Sequence, residues 1–398
     1  MYKKYRYYWY AIAFIFWSFA PIISIPLFLY VIFLLHTKTE GIFFYLLLIS
    51  LSFGLIAYTG YSNPMNSIET DIVRYYAQFD VFANVSDLLS FFIVFWGYGG
   101  IPYSVFNFVM FCFAKCFPDT PQLMTFFWIT LSYLFLCLFV KELTLKKKEY
   151  FFYLLIVMLF GTTFFMYEVE LLKQSVAIAI AAYSFALKRN NKKKSDILYA
   201  LSVLIHPSMI VFIFVLIFFN RLKNIFKISI LLGAIVFALV DFNRVVSIFF
   251  PQFADHSELY SSISIRPMIH YVILLLYSFI FILIFIDKKG MKNCDNKLLN
   301  ISFITYCILL SQFGSIHNFG RYIYLYSPFY VLSLYALLLC HMYRKDKRFL
   351  QYSFFFVFIM LNFSFTLYYL NSDYANIFME NSILELFISN AYTILIFS

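Results

Sequence analysis

Long apolar runs separated by short polar or basic stretches set the pattern of this chain. Residues 9–35 are apolar with Pro21 and Pro26 inside, and 41–59 form a second run. A polar stretch, 60–87, carries Asn63-Pro64, Glu69, Asp71, Arg74, Tyr75, Tyr76 and Asp80. Residues 88–113 are apolar again but interrupted by Gly97, Gly99, Gly100 and Pro102, which predicts an amphipathic or re-entrant piece plus one helix. Further runs cover 122–140, 150–167, 169–187, 196–219, 228–241, 268–286, 298–315, 322–340 and 351–370, with a partly apolar tail at 371–398. Continuous runs of this length suit membrane helices, whereas membrane barrels show short alternating segments. The pattern predicts an all-α fold: one polytopic integral membrane domain over residues 1–398, with about 11 transmembrane or re-entrant helices and no soluble domain.

Composition strengthens that reading. The 398 residues are 63% hydrophobic and 13% charged, against about 25% charged in soluble domains. Mean hydropathy is +0.82. The net charge of +10 would suggest nucleic acid on a soluble protein. Here 20 of the 30 basic residues fall in 141–148, 188–194, 221–227, 288–297 and 344–348. Such clusters mark cytoplasmic loops by the positive-inside rule, and no nucleic-acid partner is expected. Six scattered cysteines form no C-x-x-C pair and read as small apolar filler. The basic N-terminus leads into an apolar run too long for a signal-peptide core, so it reads as a retained span.

The clusters constrain topology. Consecutive cytoplasmic clusters require an even number of crossings or a re-entrant hairpin. Residues 150–167 and 169–187 make one hairpin, with Glu168 and Glu170 at its outer turn. The 24 residues of 196–219 suit two half-helices meeting at His206-Pro207, each about half the hydrocarbon thickness. Pro207 suits the first turn of the second. An outer loop spans about 242–267, and 317–322 form a tight outer turn. The 60–87 stretch carries one arginine against four acids, so it is placed outside as a periplasmic loop. That placement requires an external N-terminus or a Pro21/Pro26 segment that turns back.

The outward turns collect the chemistry. Arg74, Arg244, Arg266 and Arg321 stand where positive charge is disfavoured, and arginine suits bidentate phosphate binding. Beside them are Asp71, Glu168 and Glu170 and the histidines His206, His270 and His317. These residue types fit an outer-facing site for an anionic, lipid-bound substrate, with an acid or histidine taking a proton from an attacking hydroxyl. Structural readings stand beside these: Asp71 with Arg74 and Glu170 with Lys173 are also at local ion-pair spacing, and Arg244 suits the membrane interface. The abundant Tyr and Phe are assigned to lipid and interface. No H-E-x-x-H and no P-loop occurs, and no metal or cofactor is expected.

Four stretches resemble a family. Thr70-Asp71-Ile72-Val73-Arg74-Tyr75-Tyr76 resembles the Asp-x-x-x-Tyr loop of EpsG-like and Wzy-type polysaccharide polymerases. Glu170-Leu171-Leu172-Lys173-Gln174 with its small-residue helix resembles their Arg-Gln helix start, with Lys173 where arginine is usual. Ile205-His206-Pro207-Ser208 resembles their Ile-His-x-Ser element, and Phe319-Gly320-Arg321-Tyr322 their late Arg-Tyr. The resemblance implies a bacterial inner-membrane glycosyltransferase, an O-antigen or capsule polymerase. It would join undecaprenyl-pyrophosphate-linked oligosaccharide units on the periplasmic face, without a cofactor. It implies Asp71, Glu170 and His206 as catalytic candidates. Arg74, Tyr75, Lys173, Gln174, Arg266, His317, Arg321 and Tyr322 are those for pyrophosphate or glycan. Expected partners are the lipid-linked oligosaccharides, the bilayer and a chain-length regulator. The alternatives are a lipid-linked oligosaccharide flippase or other transporter, which should show internal repeats, and a single-sugar membrane glycosyltransferase.

Overall fold

The structure is a computed structural model. It describes residues 6–35, 41–60, 71–145, 147–163, 165–188, 190–210, 224–239, 275–278, 280, 296–311, 327–340, 352–353, 356–364 and 391. The chain divides into two compact units, one within Met1–Ile156, Phe165–Met209 and Thr366–Ser398, the other within Val157–Phe164 and Ile210–Phe365. All regular elements among the described residues are helical. Among the described residues, two helices are long and apolar enough to cross a membrane, and a bent pair makes a third candidate, consistent with a membrane protein.

The first unit opens with α1 (Arg6–Phe19), α2 (Ser24–Leu35) and α3 (Ile42–Gly60). The apolar run at 9–35 is therefore two helices. The chain breaks at Pro21, while Pro26 lies in the first turn of α2, where a missing amide leaves no helical acceptor unserved. The carbonyl of Pro21 accepts from the hydroxyls of Ser52 (2.7 Å) and Ser24 (2.6 Å), and Trp17 Nε1 donates to Ser52 Oγ at 3.0 Å. Polar groups freed by the break are thus satisfied inside the packing, as an apolar surround demands.

The polar stretch also differs from a plain loop. Residues Asp71–Ala83 form α4, because Ile72, Tyr76, Phe79 and Phe82 recur at helical spacing and are buried, while Arg74, Asp80 and Val81 are exposed. Then α5 (Leu88–Gly97) starts at Asp87, whose Oδ1 accepts from the Ser90 amide at 2.8 Å. Hydrogen bonds from Ser90 and Ser86 hold the Asp87 carboxyl below its usual range. A 3₁₀ turn (Ile101–Tyr103) leads into α6 (Ser104–Cys116), at 90° to the preceding helix. Gly99 (φ +99°) and Gly100 (φ +59°) make that corner, a backbone region side chains disfavour.

At the centre is α7 (Gln122–Leu143), 22 residues or roughly 33 Å at about 1.5 Å per residue. It packs on α3 and on α10 (Leu172–Leu187). Gly54 of α3 permits the first contact: a Cβ there would lie 2.9 Å from the Phe126 carbonyl oxygen and closer still to Thr130 Oγ1. The small residues of α10, among them Ala177, Ala179, Ala181, Ala182 and Ser184, are all buried and let it approach both α7 and α11 (Lys192–Ile205). Between Tyr150 and Leu172 the chain is irregular. A short α8 (Phe151–Ile156) passes into a π-helical turn (Val157–Thr162), followed by α9 (Phe165–Glu170). Glu168, expected at the outer turn of the hairpin, is buried.

The region around His206-Pro207 partly follows expectation. Helix α11 ends at His206, which is extended (φ −149°, ψ 121°), and Pro207–Ile210 form a 3₁₀ turn. The expected second half-helix lies outside the described residues.

In the second unit, α12 (Asn224–Leu239), α13 (Asn296–Ser311) and α14 (Ser327–Cys340) are described. Ser302 Oγ and Tyr277 OH both donate to the Phe329 carbonyl, at 3.4 Å and 3.2 Å. Asn362 Nδ2 donates to the carbonyls of Phe160 (2.6 Å) and Thr163 (3.1 Å) at the π turn.

Candidate active site

Four elements of the first unit converge on Lys173. The residue sits in the first turn of α10, after Leu171 breaks the chain from α9. Its Nζ lies 4.9 Å from the ring centres of Tyr75 and Tyr103 and 5.0 Å from that of Phe106. Tyr75 comes from α4, Tyr103 from the 3₁₀ turn and Phe106 from α6. Three ring faces can hold an ammonium that burial strips of water; such contacts are worth about 0.5–2 kcal/mol each. The Asp71 carboxylate is also close enough to act on the Lys173 charge. Asp71 Oδ1 is 3.3 Å from the guanidinium of Arg74, whose side chain is 61% exposed.

The rings are held from behind. Phe106 stacks on Trp128 at 5.1 Å and 12°. Tyr76 OH shares a 3.1 Å hydrogen bond with Thr125 Oγ1, tying α4 to α7. Gln78 Nε2 donates to Asn107 Oδ1 at 3.0 Å, and Asn107 Nδ2 donates to the Tyr98 carbonyl at 3.2 Å. This chain of buried amides fixes α4 against α6 and braces the glycine corner. A Cβ on Gly99 would press into the Tyr103 ring, so that glycine also makes room for the ring.

His206 joins the cluster from the end of α11. Its ring meets Tyr103 edge-on at 5.5 Å and 75°, and it lies within electrostatic range of Lys173. Its Nδ1 lies 2.7 Å from Ser208 Oγ and accepts from the Ser208 amide at 3.3 Å. The turn that carries both is tied back to α11 by Tyr199, whose hydroxyl donates to the Met209 carbonyl.

Of the residues singled out in the sequence, Asp71, Arg74, Tyr75, Lys173 and His206 come together. Gln174, next to Lys173, is partly buried, and its Oε1 has no hydrogen-bond donor among the described residues. Glu170 is partly buried at the end of α9. Arg266, His317, Arg321 and Tyr322 lie outside the described residues, as do Arg244 and His270. Tyr103 and Phe106 were not expected: they look like any other aromatics in a chain that is 23% aromatic. The available signal was position, since Tyr103 follows the Gly99-Gly100-Ile101-Pro102 break and Phe106 is one helical turn on.

A second polar group lies within α7, α9 and α10. The Ser132 hydroxyl donates to Glu168 Oε2 at 2.8 Å, with the Ser175 side chain and the buried Tyr133 hydroxyl beside the same carboxylate. Together the clusters present a caged cation, an exposed arginine, a carboxylate and an imidazole. Such a set can bind a phosphate-bearing group and move a proton beside it.

Comparison with known proteins adds one finding: the model of the EpsG family matches residues 61–379. No curated protein and no solved structure matches the chain.

Proposed function

The chain belongs to the EpsG family, and from that premise we propose that it is a membrane glycosyltransferase that polymerises surface polysaccharide. Its substrates are oligosaccharide repeat units linked to undecaprenyl pyrophosphate, joined on the periplasmic face of a bacterial inner membrane. The observation that carries this reading is the caged Lys173 with Asp71 and His206 beside it.

The chemistry follows from the groups. An acceptor hydroxyl attacks the anomeric carbon of the growing glycan. A new glycosidic C–O bond forms, the bond from that carbon to the pyrophosphate oxygen breaks, and undecaprenyl pyrophosphate leaves. The acceptor's proton passes to one of Asp71, Glu170 or His206. Charge developing on the leaving pyrophosphate is met by Lys173 and Arg74, with Arg266, Arg321, His317 and Tyr322 as further binding candidates and Tyr75 and Gln174 at its edge. Lysine serves as a point charge where arginine would supply a fork, and the ring cage gives that point a fixed place.

Deleting the gene provides the test. A polymerase acts after each lipid-linked unit has crossed the membrane, so its loss leaves surface glycan one repeat long instead of a ladder. Loss of a flippase traps units inside and leaves no surface repeat; that outcome would overturn polymerisation in favour of transport. A full-length ladder in the deletion would remove the protein from repeat-unit assembly altogether.

A further inference from the structure

We infer that His206 acts as a hydrogen-bond donor through Nε2–H and not as the proton acceptor, and that Ser208 is the positioning residue that holds it in this form. The inference rests on the proposed reaction for its chemical meaning, but the tautomer itself does not.

The backbone amide of Ser208 is a donor under every condition, and it points at His206 Nδ1 at 3.3 Å. A nitrogen that receives an N–H carries a lone pair there and no proton. The Ser208 hydroxyl, 2.7 Å from the same nitrogen, must then donate as well. Two donors on Nδ1 leave the ring proton on Nε2, the nitrogen on the far side of the ring from the turn. A neutral ring in this state offers the site an N–H and no lone pair, since its one lone pair is occupied. The surroundings hold the ring in place: its edge contact with Tyr103 sets its plane, and Tyr199 ties the turn to α11.

The groups facing the ring agree with a donor. Lys173 is its charged neighbour, and Asp71, which also acts on the Lys173 charge, is the carboxylate of the cluster. Lys173 and the His206 Nε2–H together make two donors for one anionic oxygen, as on a departing pyrophosphate. Proton acceptance then falls to a carboxylate, and Asp71 is the one in the cluster. In the transfer, the acceptor's O–H proton moves to that carboxylate, while the bridging oxygen leaves the anomeric carbon with its electron pair and takes the Nε2–H hydrogen bond.

Nitrogen-15 spectra of histidine-labelled protein in nanodiscs read the tautomer directly, with the His206 signals identified by their loss in His206→Gln. The expected result is a protonated Nε2 and an unprotonated Nδ1 in the wild type. Ser208→Ala keeps the amide donor, so Nε2 should stay protonated while the Nδ1 signal shifts with the lost hydroxyl bond, and Ser208→Thr should restore the wild-type shift. A ring protonated at Nδ1 in the wild type or in Ser208→Ala, or an Nδ1 signal unshifted in Ser208→Ala, would overturn the inference. Activity gives a second readout through glycan ladders. Glutamine places an N–H close to Nε2 and has no base. His206→Gln should therefore stay within about tenfold of wild type, while His206→Ala falls by about 10²–10³, the effect of removing one transition-state donor. Glutamine as inactive as alanine, at equal membrane abundance, would return His206 to the role of base. If the wild type makes no polymer, the proposed function fails while the spectra still decide the tautomer.

Discussion

At Lys173, three rings at 4.9–5.0 Å replace the water that an ammonium would otherwise keep. The cage therefore does two things, holding the charge in place and offsetting part of its desolvation. Tyr103 is the ring shared with His206, so it is the more informative one to change. Tyr103→Phe keeps the face and should keep most activity. Tyr103→Leu removes it and should lower ladder formation roughly 2- to 30-fold, the rate equivalent of about 0.5–2 kcal/mol. Lys173→Met keeps the length and loses the charge, and should abolish the ladder with membrane abundance unchanged. Abundance and ladder length are read on the same samples by immunoblot and glycan staining. A full ladder in Lys173→Met would take the cation out of the site.

Among the elements, the α5–α6 corner and the α3–α7 contact each depend on a missing Cβ, for different reasons. Gly99 and Gly100 adopt positive φ, and Gly99 also faces the Tyr103 ring. Gly54 has an ordinary helical backbone but sits where two helices touch. Gly97 has open space around it and no such φ. Alanine at Gly54 should overpack the contact at a cost of about 1–3 kcal/mol and lower the unfolding temperature in detergent. Gly99→Ala should displace Tyr103 and reduce activity more than stability. Gly97→Ala should do neither, which makes it the control. Equal effects at Gly97 and Gly99 in a thermal-shift and ladder comparison would mean that the corner does not position the ring. The apolar pattern predicted the break at 97–102 but not its consequence, because what the turn aims at depends on α4, α10 and α11.

For the whole molecule, the positive-inside rule leads to the expectation that residues 188–194 face the cytoplasm. Lys193 is exposed at the start of α11, so a cysteine there is reachable from whichever side it faces. In a cysteine-free background, Lys193→Cys in intact spheroplasts should resist an impermeant maleimide, while Asn63→Cys should react. Labelling of Lys193→Cys from outside would overturn the re-entrant reading of 196–219, and resistance at Asn63→Cys would put the Asp71 stretch inside.

The sequence by itself determined the class. Apolar runs, sparse charge and clustered lysines follow from the bilayer as solvent, which acts on every residue alike and so leaves its mark in linear pattern. It also showed which ionisable residues to watch, and Asp71, Arg74, Tyr75, Lys173 and His206 do meet. Where the helices break was only partly legible: Pro21 and the glycines announce their corners, but the π turn at 157–162 and the burial of Glu168 do not. Only the tertiary structure decided the partners. Tyr103 and Phe106 became site residues because α4, α6, α10 and α11 bring positions about a hundred residues apart into contact, and cation–π attraction reaches only about 6 Å. The state of His206 was likewise decided by folding, since a turn two residues long had to bring one amide and one hydroxyl onto the same ring nitrogen.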